Sequence, residues 1–234
     1  MIGRQAAVAA ALAGASLHAG PALAPVVPPL GRALGIRLRQ DDPDGVALTF
    51  DDGPHPQGTP AVLDALREAG SPATFFLAGE QVAARPSLAA EIVAAGHRVE
   101  LHCFLHRNQL RLTPRQLLDD SERGRAAIED ATGRPVHDYR PPYGIFSGAG
   151  LRAIRRRGWR PLLWSLWGRD WDRGANARSI ARRSTAGAEA GDILLLHDSD
   201  AYSAPGSWAR TAEALPRILD ELGRRGLRAV ELRR

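Results

Sequence analysis

Short apolar runs of strand length recur at residues 46–50, 73–78, 98–101, 161–166, 192–196 and 227–232, and a weaker run leads to residue 140. Between them, apolar residues recur at helical spacing. Residues 60–69 follow the candidate N-cap Thr59, carry Pro60 at the first turn and stop at Gly70. Residues 87–95 stop at Gly96, residues 117–131 start from Thr113-Pro114 and stop at Gly133, and residues 151–157 stop at Gly158. Residues 208–225 form a last helix that Pro216 is expected to kink or split. Residues 176–188 form a poorer one. Strand then helix, repeated about seven times, predicts a parallel α/β sheet. With no phosphate-loop signature, a closed or nearly closed barrel is favoured over an open sheet. The active site of such a barrel lies at the C-terminal ends of its strands, so chemistry should follow the apolar runs.

The 234 residues suit one domain with a short appendage, long enough to bury a core without staples. Residues 1–44 read as an Ala/Pro-rich N-terminal segment and 45–234 as the domain. Arg4, the small apolar run from Ala6 to Leu17 and Ala22-Leu23-Ala24 match a signal peptide as well as they match an Ala-rich helix packed on the domain. Export or the cell envelope is thereby expected slightly ahead of the cytoplasm. The run is too short for a membrane span of about 20 residues. Residues 21–45, rich in Pro and ending in a polar stretch, read as a linker into the folded unit.

The net charge is +5 and every basic residue is Arg. A compositional bias is the plain reading; attraction to an anionic partner, such as an acidic cell-wall polymer or nucleic acid, is the alternative. The arginines are scattered. Arg155, Arg156 and Arg157 form the one tight run and fall in a helix, as a solvated face does. No nucleic-acid motif accompanies them, and no nucleic-acid partner is expected. The single cysteine, Cys103, excludes an internal disulfide.

Five polar clusters follow the strands. Asp51 and Asp52 are adjacent carboxylates at a strand end, where mutual repulsion and desolvation penalise both and a cation would relieve them. The same Asp-Asp-Gly-Pro sequence also suits an ordinary turn. His102 and His106, four apart, would share one face of a helix, and with a carboxylate suit Zn or a similar divalent metal. His97, just upstream, reads as a surface or strand-edge residue. In Arg140-Pro141-Pro142-Tyr143-Gly144 two prolines stiffen the chain around Arg140 and Tyr143. Trp164, Trp167 and Trp171 are either core or one wall of a sugar-binding cleft. His197 is a lone strand-end histidine, a position more often structural.

In order and spacing these clusters resemble the polysaccharide deacetylase family, also called the NodB homology domain or carbohydrate esterase family four. Its pattern has a TFDDGP element (Thr49 to Pro54 here), a His-x-x-x-His-like element (His102 to His106), RPPYG (Arg140 to Gly144), D-x-x-D-W (ending at Asp170-Trp171) and a leucine-x-His element (Leu195 to His197). The resemblance covers about residues 45–232. It implies a distorted (β/α) barrel of about seven parallel strands with surrounding helices, and a metal-dependent hydrolase that removes N-acetyl groups from a peptidoglycan-like or chitin-like glycan. Asp52, His102 and His106 would bind a divalent metal, zinc first, with Co or Ni able to substitute. Asp51 would be the general base, with Arg140 orienting it. His197 would be the general acid, with Asp170 orienting it. The metal and a backbone N–H near Tyr143 would hold the oxyanion, and Trp171 and Leu195 would line a pocket for the acetyl methyl group. A monomer is expected. Two positions depart from the pattern: Cys103 stands where Ser or Thr is usual, and Trp167 where the first Asp of D-x-x-D-W is usual. An O-acetyl esterase or another carbon–nitrogen hydrolase would use the same residues. A non-catalytic glycan-binding protein would need no acid and base pair.

Overall fold

The computed structural model describes residues 13–233. Its strands are β1 (Gly45–Asp51), β2 (Thr74–Ala78), β3 (Arg98–Cys103), β4 (Asp138–Tyr139), β5 (Arg160–Pro161), β6 (Leu166–Trp167), β7 (Ile193–His197) and β8 (Arg228–Val230). Seven follow the order β5-β4-β3-β2-β1-β7-β6, every pair parallel, curled into a half-barrel with helices outside. β1 is buried along its whole length, as a strand covered on both faces must be. Ala47 pairs with both Ile193 and Val230, so β7 and β8 lie on opposite edges of β1. β8 therefore shares an edge with β2 and wedges in at the N-terminal end.

The helices are α1 (Pro28–Ala33), α2 (Gly58–Glu68), α3 (Gly79–Ala84), α4 (Pro86–Ala94), α5 (Pro114–Thr132), α6 (Gly148–Arg156), α7 (Ala177–Thr185) and α8 (Ser207–Arg224). Thr113 and Gln116 close a capping box on α5, and Gly133 ends it in the left-handed region. α8 runs through Pro216 without splitting, contrary to one of the two outcomes expected for that residue. Among the described residues, no helix is long and apolar enough to cross a membrane.

Three sequence expectations need correction. The run at 161–166 is not one strand: its ends go to β5 and β6, which pair with opposite edges of the half-barrel. The chain between crosses the gap, with Leu162 bridged to Arg37. Residues 36–42 are not a free linker, for Ile36, Leu38, Gln40 and Asp42 are buried. Arg37 pairs beside β5 and Arg39 beside Asp192, so this strap spans the open seam of the sheet. His97 is buried against Phe75, ring centres 5.6 Å apart, rather than on the surface. The Ala-rich run from residue 6 lies partly outside the described residues; residues 13–19 are helical.

Candidate active site

β1 delivers Asp51 as its last residue, level with His197 at the end of β7. Asp52 follows in the left-handed region, φ 79°, which a short polar side chain tolerates better than most. Gly53 is forced at the next position, because a Cβ there would lie 2.3 Å from Asp198 Oδ2. Asp198 in turn accepts a hydrogen bond from Thr59 of α2. Burial pushes the Asp198 carboxyl up to about 7. The turn carrying Asp52 is thus braced from behind.

His102 sits on β3, but His106 is not one helical turn further on. It stands in an irregular loop whose Phe104 and Leu105 amides donate to Asp120 of α5, at 2.9 and 3.1 Å. Gly124 lets α5 approach, for a Cβ there would lie 2.7 Å from the Cys103 carbonyl. A strand end and a pinned loop, rather than a helix face, bring the two imidazoles together. His106 is held further between Tyr202, stacked at 4.2 Å, and Tyr143, edge-on at 4.5 Å.

The two histidines converge on one oxygen. His102 Nε2 lies 3.3 Å and His106 Nε2 3.5 Å from Asp52 Oδ1. Asp52 Oδ1 is buried without a hydrogen-bond partner, as are His102 Nδ1 and His106 Nδ1. Burial pushes the Asp52 carboxyl up, yet His102, His197 and His106 together hold it at about 2. Burial lowers His106 to about 4. A buried carboxylate oxygen that faces two imidazole Nε2 atoms and has no hydrogen bond of its own is a place where a divalent cation fits. Asp52, His102 and His106 form a cluster that could hold one.

Asp51 and His197 are each held by a buried charged partner. Arg140 is fully buried and donates from Nη1 to Asp51 Oδ1 at 2.6 Å and to Thr49 Oγ1 at 2.9 Å. Its guanidinium lies 4.1 Å over Phe76. Asp170, also fully buried, faces His197 Nδ1 at 3.0 Å and accepts from the His197 amide and the Thr211 hydroxyl. Burial alone would lower His197, but Asp170 overrides it and raises the imidazole to about 10. His197 Nε2 points toward Asp52 Oδ2, 4.0 Å away.

Asp51, Asp52, His102, His106 and His197 line a cavity of about 270 Å³, with Tyr143, Trp171 and Leu195 in its walls. Arg140 and Asp170 stand behind it, each touching a lining residue. All ten sequence-nominated residues therefore meet at one place. Trp167 also lines the cavity, its ring 5.9 Å from Trp171. Sequence reasoning missed Tyr202 and Asp120. Tyr202 comes from a loop of small and polar residues with no periodic signal. Asp120 looks like any acid on a helix, though its spacing toward the buried face was readable. Burial raises the Cys103 thiol well above its ordinary range, which removes it as a nucleophile.

Residues 39–162 match the family model described as polysaccharide deacetylase. The chain is 35% identical over 187 residues to the peptidoglycan-N-acetylglucosamine deacetylase of Bacillus cereus, covering 79% of this chain and 84% of that one. It is 38% identical over 190 residues to a chitooligosaccharide deacetylase of Sinorhizobium fredii, covering 77% and 86%. Among solved structures it is similar to a family 4 carbohydrate esterase from Streptomyces lividans in complex with acetate, with a TM-score of 0.72 and 31% identity over 80% of this chain and 92% of that one. By sequence, by fold and by the convergence of these side chains, the chain belongs to the polysaccharide deacetylase family.

Proposed function

We propose that this protein hydrolyses the N-acetyl group of an amino sugar within a glycan, of the peptidoglycan or chitin type. The observation that carries the reading is the convergence of an acid, a base and an unspent Asp-His-His cluster on one small cavity. Asp52, His102 and His106 would hold a divalent cation, zinc first by their donor set, with Co or Ni as substitutes. When bound, the cation supplies Lewis acidity to the acetyl carbonyl and acidifies a water molecule.

The chain's own residues do the rest. Asp51 takes the proton of the attacking water, and Arg140 fixes the carboxylate in one orientation. The water oxygen bonds to the acetyl carbon, and the carbon–nitrogen bond then breaks. His197, kept protonated by Asp170, gives its proton to the departing amine. The Gly144 and Ile145 amides are already bonded to the Pro141 and Pro142 carbonyls. The Tyr143 amide is therefore the donor assigned to the developing oxyanion. Trp171 and Leu195 bound the space for the acetyl methyl group.

Acetate release from N-acetylglucosamine oligomers and from peptidoglycan fragments tests this. Release should stop in strong chelator and return on adding Zn. Full activity in chelator, or release from O-acetylated xylan alone, would overturn the reading.

A further inference from the structure

The three candidate ligands are positioned in different ways. Asp52 rides on a turn backed by Gly53 and Asp198. His102 belongs to β3, which lies between β2 and β4. His106 has no such frame, for it stands in the loop after β3. Neither imidazole has a hydrogen-bond partner at Nδ1. A metal-binding histidine ordinarily donates that second ring nitrogen to a carboxylate, a carbonyl or water, which fixes the direction of the ring. At His106 aromatic rings stand where the strand or the hydrogen bond would be. Tyr202 stacks on the imidazole with centres 4.2 Å and planes 7° apart, and Tyr143 meets it edge-on.

The Tyr202 ring is itself tied down. Its hydroxyl donates to the Glu80 carboxylate and accepts from Gln81 Nε2 at 3.2 Å, both on α3. Arg85 donates to Gln81 Oε1 in turn, at 2.8 Å. The Glu80 amide donates to the Phe104 carbonyl at 3.1 Å, two residues before His106. Gly79 permits this approach, since a Cβ there would lie 2.7 Å from the Phe104 ring. Glu80 therefore holds the backbone leading to His106 with one group, and the ring stacked on its imidazole with another. The loop that carries Tyr202 is fixed as well. Asp200 accepts from the Gly206 amide at 2.7 Å and faces His55 Nε2 at 3.1 Å, and the Ala204 amide reaches the Trp171 carbonyl at 3.4 Å. Such a closed circuit fixes the orientation of the imidazole as well as its contacts.

We propose that Tyr202, tethered by Glu80, is a positioning residue for the cation site: it sets the direction in which His106 Nε2 points, as a hydrogen bond at Nδ1 would otherwise do. The proposal rests on the reading of Asp52, His102 and His106 as that site. It extends the functional centre to α3 and to the loop after β7, neither of which supplies a ligand, an acid or a base to the reaction proposed above. Tyr202 also lines the catalytic cavity, so turnover alone would not separate this role from contact with substrate. Metal binding in the absence of substrate separates the two.

The test uses metal-stripped protein: the wild type, Tyr202→Leu, Tyr202→Phe, Glu80→Ala and the double variant of the last two. Competition with a chromophoric chelator gives Kd for Zn, Co absorption reports the arrangement of the ligands, and urea unfolding of the metal-free proteins reports the fold. Tyr202→Leu removes the stacked ring and should raise Kd for Zn about 10- to 100-fold, with a changed Co spectrum. Tyr202→Phe and Glu80→Ala keep the ring but cut its tether, and each should raise Kd less, by about 2- to 10-fold. The double variant should be no worse than the worse single one, because hydroxyl and carboxylate act as a unit. Wild-type Kd and Co spectrum in Tyr202→Leu would overturn the proposal, as would a weaker Kd that only follows a lost fold with the Co spectrum unchanged. If Tyr202→Leu fails to fold, the tether variants decide: absent or additive effects overturn the proposal. If the wild type binds neither metal, the cation reading fails and the proposal falls with it. If wild type and variants bind Zn alike and all release acetate, this proposal alone fails and the deacetylase reading stands.

Discussion

Both ends of the half-barrel bury carboxylates, and they treat them in opposite ways. At the N-terminal end Glu100 and Asp138 are almost fully buried. Glu100 accepts from Arg98 and from the His137 and Asp138 amides, while Asp138 accepts from Arg98 and twice from Arg160. Every oxygen is spoken for. At the C-terminal end Asp52 is equally buried, yet its Oδ1 and the Nδ1 atoms of His102 and His106 have no partner. A satisfied buried network holds a fold together, whereas an unsatisfied one costs stability unless a ligand completes it. The same kind of group is closed at one end and left open at the other, and the difference lies in the buried polar atoms without a hydrogen bond.

Breaking the satisfied end should have the largest effect on stability. Asp138→Ala leaves Arg98 and Arg160 without their shared carboxylate, and should cost about 3–5 kcal/mol. The urea midpoint should fall accordingly, while metal content per folded molecule stays unchanged. Loss of metal with unchanged stability would mean that the two ends have been assigned the wrong way round.

At the functional end, His197→Ala should lower kcat on N-acetylated glycan about a hundredfold or more and alter KM little. The loss should shrink on an activated acetate ester, whose leaving group needs no proton. An equal loss on both substrates would make His197 structural.

A smaller effect is expected from Asp170→Asn, which acts through His197. Burial lowers the His197 imidazole, and Asp170, ahead of Asp52 and Asp51, raises it to about 10; without Asp170 burial is less fully offset. The acid form is then lost at lower pH, so the alkaline limb of the pH–rate profile should move down. The stability side has the same sign: a raised histidine contributes fully below its ordinary 6.5 and loses that contribution as pH rises through about 10. The stability gap between wild type and Asp170→Asn should therefore be widest at low pH and close toward pH 10. An unmoved limb would assign the proton to another group.

The same contrast explains what the sequence made legible. β1, β2 and β7 are nearly continuous apolar runs because they are buried on both faces, and β3 alternates Val99 and Leu101 with Arg98 and Glu100, so their ends, and Asp51, His102 and His197 with them, could be placed from pattern alone. β4, β5 and β6 are two residues each and carry no period of their own. Arg140 and Asp170 were placed by their motifs. The strap at 36–42 was read as a linker because only its alternate residues, Ile36 and Leu38, are apolar, and its pairing is with residues more than a hundred positions away. The helical reading of His102 and His106 gave the right pair for the wrong local reason: spacing of four brings two side chains together on a helix, but here a loop pinned by Asp120 does it. Tyr202 had no local signal at all.

The central claim is that Asp51 and Asp52, adjacent in the chain, do different work. Arg140 holds Asp51, while Asp52 faces the two histidines. The direct measurement is metal content and acetate release for Asp52→Ala and Asp51→Asn, each with and without added Zn. Asp52→Ala should lose the metal. Asp51→Asn should keep the metal and its fold, yet lose activity by a factor of about a hundred to ten thousand, with no rescue by Zn. The account is contradicted if Asp51→Asn loses the metal while Asp52→Ala keeps it, or if both variants retain metal and activity.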